Sequence, residues 1–284
     1  MTDLAQGPPG VSILILTKNE EQNLPDCLAT FAWADDVVVL DSGSTDRTVA
    51  IAEAAGARVF HRPFDDWSSH QNWAVANIPF RHPWVYYSDA DERMTEDLRR
   101  ELQAIAADPA APCAAYRVRF RNLFMGRWIR RVSMYPVWVL RFFRPERVRW
   151  ERVVNPVAIV EGEVGRLQGH FDHHSFHKGF TEWVAKHNGY ATGEALELVR
   201  LRAQPGGWGD LAARDPARRR QALKRLAYRL PGRPAAVFVL LYVLRLGFLD
   251  GRAGLHYCLL RAYYEYLIDL KVLEMDRRTQ GLSL

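Results

Sequence analysis

An apolar run, Trp84-Val85-Tyr86-Tyr87, stops abruptly in Ser88-Asp89-Ala90-Asp91-Glu92. A strand interior cannot hold three unpaired carboxylates in four positions, because a buried charge without a partner is too costly. The acids therefore stand at a strand's exit. The same shape occurs twice upstream: Val11-Ser12-Ile13-Leu14-Ile15-Leu16-Thr17 is stopped by Lys18-Asn19-Glu20-Glu21, and Val37-Val38-Val39-Leu40 ends in Asp41-Ser42-Gly43-Ser44. Helical segments separate these runs. Leu24, Leu28 and Phe31 repeat behind Pro25, residues 49–55 end at Gly56, residues 67–77 follow a short strand at 57–60, and Thr95 caps a helix that reaches Ala107 before Pro109.

Strands alternating with helices over the first 107 residues predict an α/β fold with a doubly wound, Rossmann-like sheet, parallel in that half. Right-handed crossovers bring the strand exits to one edge, where open α/β sheets bind ligands. Three polar clusters, at Thr17-Lys18-Asn19-Glu20, Asp41-Ser42-Gly43-Ser44 and Ser88-Asp89-Ala90-Asp91, are thus expected to converge. Neither GxGxxG nor GxxxxGK[ST] occurs among them, so the usual dinucleotide and P-loop phosphate cradles are absent. Two carboxylates one residue apart suit a hard divalent cation carried by a phosphorylated substrate.

After Ala114 the texture changes. Tyr116-Arg117-Val118-Arg119-Phe120-Arg121 alternates with period two, and residues 137–143 and 148–154 read as further strands. Gly162, Gly165 and Gly169 punctuate what reads as a loop-rich stretch. It leads into His170, His173, His174 and His177, four of the chain's nine histidines. One of them is expected to complete a carboxylate metal site, since imidazole with carboxylate suits Mn²⁺ or Zn²⁺. A helix follows through Trp183, His187 and Tyr190, and Pro205-Gly206-Gly207 reads as a linker.

The net charge of +5 is regional: residues 214–233 carry +7 and residues 117–152 carry +9. Regional excess implies an anionic partner. Residues 216–230 read as a helix with Leu223, Leu226 and Leu230 on one face and Arg218, Arg219, Arg220, Lys224 and Arg225 around the other. That is the pattern of a helix at an anionic lipid surface. The apolar stretch 235–244 is too short to span a bilayer. No nucleic-acid recognition motif accompanies the arginines, so nucleic-acid binding is not expected. Cys27, Cys113 and Cys258 lie in no metal or redox spacing. With no signal peptide in the first ten residues, a cytoplasmic protein, peripheral on the inner face of the cytoplasmic membrane, is expected.

On these residues the chain resembles the family 2 inverting glycosyltransferases of the GT-A fold, and within them the bacterial lipopolysaccharide-core glucosyltransferase branch. The matching stretches are Ile13 through Glu21, Val39 through Thr48, Ser88 through Arg93, Lys186-His187-Asn188-Gly189-Tyr190 and Gly247-Phe248-Leu249-Asp250-Gly251. The resemblance implies a GT-A mixed sheet with a C-terminal helical appendage. It divides the chain into a glycosyltransferase domain at 1–203, with a nucleotide-sugar half at 1–112 and an acceptor half at 113–203, and a basic helical region at 204–284. It implies transfer of a sugar from a UDP- or GDP-sugar to a cell-envelope glycan or lipid-linked acceptor, assisted by Mg²⁺ or Mn²⁺.

Thr17, Asn19, Glu20, Asp41 and Ser42 would line the nucleotide pocket. Asp89 and Asp91 match the DXD motif, with Asp89 near the ribose and Asp91 on the metal, and His173 is an additional metal contact. An inverting reaction also needs a general base. Related sequences carry His-Glu where this chain reads Val153-Val154-Asn155-Pro156, so Asp172 is the candidate base, with Glu151, Glu161 and Glu163 as alternatives. Two other readings stay open: a degenerate nucleotide-sugar-binding protein without turnover, and a nucleotidylyltransferase.

Overall fold

In the computed structural model, residues 10–151, 156–203, 219, 222 and 232–284 are described. The basic segment at 216–230, apart from residues 219 and 222, and Val153, Val154 and Asn155 lie outside them. The first half alternates as the sequence predicts. Strands β1 (Val11–Thr17), β2 (Val37–Asp41), β3 (Arg58–His61) and β4 (Trp84–Asp89) are separated by helices α1 (Leu24–Ala29), α2 (Thr48–Ala54) and α3 (Trp67–Asn77). A short β5 (Glu92–Met94) precedes α4 (Glu96–Ala107), whose first turn is capped by Thr95 Oγ1 accepting from the Leu98 amide.

Seven further elements follow: β6 (Ala115–Phe124), β7 (Arg127–Trp128), β8 (Trp138–Phe143), β9 (Val148–Glu151), β10 (Val157–Val160), β11 (Val164–His173) and α5 (Gly179–Ala203). The main sheet has nine strands, with the path β3-β2-β1-β4-β8-β6-β11-β5. It is mixed. β1 pairs in parallel with β2 and β4, whereas β8 runs antiparallel to β4. One face packs Ile13, Ile15, Tyr86, Phe142 and Phe171 against α1 and α4; the other packs Leu14, Leu40, Val85 and Phe143 with Trp150. β1 is buried along its whole length, which is why it reads as a continuous apolar run rather than an alternating one.

The glycine-rich stretch expected to be loop is strand β11. Gly165 lies so close to the Tyr116 ring that an added Cβ would sit 2.5 Å from it, and one on Gly169 would sit 2.7 Å from Leu98 Cα. These glycines let a strand approach its neighbours closely, a role that composition alone cannot separate from a turn.

The chain forms two compact units, Met1–Leu123 with Met134–His177, and Phe124–Ser133 with Lys178–Leu284. In the second unit, α5 and the long terminal helix Gly251–Thr279 share a core of Ala191, Ala195, Leu198, Ile268 and Val272. Asp250 is buried and accepts the Arg131 and Val132 amides at 2.8 and 3.1 Å. The Gly247-Phe248-Leu249-Asp250-Gly251 stretch thus has a structural task there. Among the described residues no single helix is long and apolar enough to cross a membrane. The pair Arg233–Leu244 and Gly247–Thr279, bent by 72°, reaches that length and composition together.

Gly169→Ala should destabilise the chain by about 1–3 kcal/mol, the usual cost of overpacking. Gly189→Ala in α5, where an added Cβ meets nothing within 4 Å, should stabilise it by up to about 1 kcal/mol. Urea denaturation of both variants checks the pair; equal midpoints would contradict the packing account.

Candidate active site

The turn after β2 is built on Asp41, 1% exposed. Its Oδ1 accepts from Thr17 Oγ1 at 3.0 Å and from Ser44 Oγ at 2.5 Å. Its Oδ2 accepts from the amides of Gly43 at 3.0 Å and Ser44 at 2.8 Å. Burial raises this carboxyl, but the donors from Ser44, Thr17 and Gly43 outweigh it and hold the acid below its ordinary value. Asp41 stays ionised, and both its oxygens shape the turn. Gly43, at φ +82°, takes the left-handed position that the turn requires.

Asn19 also adopts a left-handed φ of 54°, which Asn tolerates better than most residues. Its amide donates to Ser44 Oγ at 2.8 Å, and its Oδ1 accepts from the Thr45 amide at 2.8 Å. The Glu20 amide donates to Thr48 Oγ1 at 2.7 Å, and Glu20 Oε2 accepts from Asn23 Nδ2 at 2.8 Å. The first two strand exits are thereby sewn into one surface. Ser42 Oγ lies 3.2 Å from His70 Nε2, and Arg62 Nη1 donates to His70 Nδ1 at 2.9 Å. Nδ1 is then the acceptor, so Nε2 carries the proton toward Ser42.

At the third exit Asp89 receives Tyr87 Oη at 2.7 Å on Oδ1 and Arg141 Nη2 at 2.5 Å on Oδ2. The same Nη2 donates to Glu92 Oε1. A β-bulge aims Arg141 there. Tyr116 pairs with Phe142 and Arg117 with Leu140, which leaves Arg141 as the extra residue of β8. Its guanidinium lies 4.3 Å from the Tyr87 ring centroid. Burial pushes the Glu92 carboxyl up to about 8 although Arg141 opposes the rise, and Asp89 adds to it.

Asp91 meets a histidine. His173 Nε2 stands 3.3 Å from its Oδ2, and His173 Nδ1 donates to Asn122 Oδ1 at 2.9 Å. Burial works against a charged His173, and the neighbouring Asp91 outweighs it, so the imidazole is held above its ordinary value. The β5–β11 pairing, His173 with Glu92, makes this meeting possible. In the β1 registers Thr17 pairs with Asp41 and Leu16 with Asp89. Asp41 and Asp89 therefore flank β1 from two strands apart, roughly 10 Å at ordinary strand spacing.

That span has a sewn loop at one end and carboxylates at the other. In a comparison with known families, the model described as glycosyl transferase family 2 matches residues 12–168. The chain belongs to glycosyl transferase family 2. It is 27% identical over 202 residues to the lipopolysaccharide core biosynthesis glycosyltransferase LpsC of Rhizobium meliloti, covering 69% of this chain and 74% of that one. It is also 38% identical over 103 residues to a TPR repeat-containing protein of Synechococcus elongatus, covering 36% of this chain, and 35% identical over 98 residues to an uncharacterized glycosyltransferase of Rickettsia bellii, covering 34% of it. The chain spans only 25% and 33% of the length of those two relatives. A solved structure of Staphylococcus aureus TarS with UDP-GlcNAc is similar at 14% identity and a TM-score of 0.46, over 96% of this chain and 92% of that one.

The candidate bases are spread more widely than the family's donor stretches. Asp172 forms a two-point pair with Arg121, Nε to Oδ1 at 2.6 Å and Nη2 to Oδ2 at 2.7 Å, so it can take a proton only if that pair opens. Glu151 is exposed at the end of β9 and pairs with Arg149 at 3.1 Å. Glu161 and Glu163 precede β11, whereas His173 ends it. Nine strand residues separate Glu163 from His173, a rise of roughly 30 Å, and proton transfer at the Asp91 end is out of their reach.

Arg141 and His70 carry no signal in the sequence that points to the site, and Glu92 is legible only as an acid at the strand's exit. Arg141 lies within a predicted strand, and a bulge leaves no mark in the pattern. Asn122 follows the Arg117, Arg119, Arg121 alternation, and its parity was the one available signal.

His70 also sets a pH dependence. Burial lowers its pKa below 6.5, and Arg62 adds to the effect. A depressed histidine binds fewer protons folded than unfolded, so its contribution is present above pH 6.5 and lost on acidification toward the folded pKa. Wild-type stability should fall as pH drops below about 6.5, and His70→Gln should flatten that fall. Denaturant titrations at pH 7.5 and 5.5 measure the difference.

Proposed function

We propose that this chain is an inverting glycosyltransferase that moves a sugar from a UDP- or GDP-sugar to a cell-envelope glycan or lipid-linked acceptor. The observation that carries the reading is the row of adjacent strand exits, with the Thr17-Asp41-Ser44 turn two strands from Asp89 and Asp91. The loop of Thr17, Asn19, Glu20, Asp41 and Ser42 accommodates the nucleoside, and the Asp91 end faces the diphosphate. LpsC, named for lipopolysaccharide core biosynthesis, supports an envelope acceptor.

The donor set fits Mg²⁺ or Mn²⁺. Asp91 and His173 supply two protein ligands on one side, and Asn122 orients the imidazole so that Nε2 faces Asp91. Asp89 is held by Tyr87 and Arg141, so it supports the loop more than it offers a free oxygen. Among the described residues no group of three or more His, Cys, Asp or Glu is placed to hold a metal alone. This suits a cation that takes its remaining ligands from a substrate diphosphate and water. Such a cation offsets the charge that develops on the departing diphosphate.

The protein's own part is to fix the donor across β1, hold Asp91 and His173 together, and take a proton from the acceptor hydroxyl. Asp172 is the carboxylate proposed for the last task, with release from Arg121 as the condition. A second reading, nucleotide-sugar binding without turnover, is favoured by that pairing. Family membership sets the nucleotidylyltransferase reading aside. The +7 charge of residues 214–233 and the exposed Leu240, Leu244 and Leu249 support a peripheral position on the inner face of the cytoplasmic membrane.

Calorimetry with UDP and GDP should show binding that requires Mn²⁺ or Mg²⁺, and Asp91→Ala should abolish that metal-supported binding; metal-independent binding by the wild-type chain, or full transfer by the variant, would refute the donor assignment. Flotation with anionic liposomes should succeed at low salt and weaken at about 0.5 M, where exposed charges are strongly screened. Flotation that ignores salt would count against the surface position.

A further inference from the structure

Beside the carboxylates the sheet carries a second, oppositely charged surface. Arg117, Arg119 and Arg121 lie on alternate positions of β6 and therefore on one face. β11 pairs in parallel with β6, placing Arg166 against Arg117 and Asp172 against Arg121. Across β8, Arg119 pairs with Trp138. Because β8 runs antiparallel to β4, Trp138 at its start stands at the sheet end where Asp89 leaves β4.

Arg121 is neutralised by Asp172. Arg117, Arg119 and Arg166 make no ion pair with a carboxylate among the described residues. Arg117 and Arg166 are exposed and directly opposed across the strand pair, an arrangement that destabilises a sheet unless something anionic lies between the charges. Two of these guanidinia are also fixed in direction. Arg166 lies 5.3 Å from the Trp138 ring centroid, and Arg119 lies 5.9 Å from both Trp138 and Tyr135. Arg119 Nη2 donates to the Gln168 carbonyl, while its Nε is buried with no acceptor. A merely solvated strand face would leave such side chains free to spread into water. Here stacking holds them together against their own repulsion. The positive field reaches His170, opposite Arg119 in the register: burial lowers its pKa, and Arg121 and Arg119 lower it further.

We infer that Arg117, Arg119 and Arg166, with Trp138 as platform, form a subsite for an anionic group, a phosphate or carboxylate, borne by the acceptor glycan. This rests on the glycosyltransferase reading, which it deepens by giving the acceptor a charge. Guanidinium forks match both anions in geometry, and an indole face packs against a sugar ring. The subsite lies at the sheet end of Asp89 but shares no residue with the Asp91–His173 pair, so donor and acceptor anions are held apart.

The test titrates the full chain, saturated with UDP and Mn²⁺ to occupy the donor pocket, with glucose 6-phosphate, glucuronate and glucose, following tryptophan fluorescence and heat. At least one anionic sugar should bind roughly tenfold or more tightly than glucose, and added salt should weaken it. The two anionic arms tell phosphate from carboxylate. The double variant R117Q/R166Q changes two exposed side chains. It should abolish the preference while leaving UDP binding unchanged, and R117K/R166K should restore part of it. No preference over glucose, or a preference that survives in R117Q/R166Q, overturns the subsite. If UDP does not bind at all, the donor reading fails; the same titration without UDP still reads the arginine site.

Discussion

One guanidinium shared by two carboxylates holds the working end of this sheet. Arg141 donates through the same Nη2 to Asp89 and to Glu92, of which Glu92 is 2% exposed. A cation in that position is tolerated because Asp89 compensates its desolvation, while Glu92, whose carboxyl burial pushes up to about 8, gives it a further acceptor. Removing either side of such an arrangement typically costs about 3–5 kcal/mol, since the remaining charge is stranded. Asp89 is thereby fixed in direction, and Asp91, two residues later, is carried to the rim where His173 meets it. The loop between β4 and β5 owes its shape to a residue from β8, far away in sequence.

The neighbouring exits use a different device. Asp41 collects four donors into a turn, and Asn19 and Glu20 tie the preceding exit to the same loop. Hydrogen bonds to an ionised carboxylate are stronger than neutral ones, so this surface is held in one shape by its own residues. A fixed shape matters because the ordering of loops is otherwise subtracted from binding. The turn at the first two exits is thus held by hydrogen bonds and the third exit by a buried ion cluster.

Acidic and basic chemistry are separated by strand parity. On β6, Phe120 and Asn122 look toward the Phe171 and His173 side, while Arg117, Arg119 and Arg121 look the other way. The same alternation on β11 sends His173 toward Asp91 and Asp172 toward Arg121. A one-residue slip of either strand would exchange the two sets, so the register carries much of the functional organisation.

The apolar runs and their polar stops were enough to determine the Rossmann-like half and to place Asp41, Asp89 and Asp91 at strand exits. Those features are local: burial of a strand and the cost of a charge at its end are legible within ten residues. The tertiary structure alone decided that Arg141 bridges Asp89 and Glu92, that Asn122 orients His173, that Asp172 is engaged by Arg121 and that Glu161 and Glu163 lie at the far end of β11. It also turned a glycine-marked stretch into a strand and assigned α5 to the second unit. Each of these depends on strand order, a bulge or a close backbone approach between segments distant in sequence. Such pairings are selected by the packing of the whole sheet, and no local pattern of residues encodes which strands become neighbours.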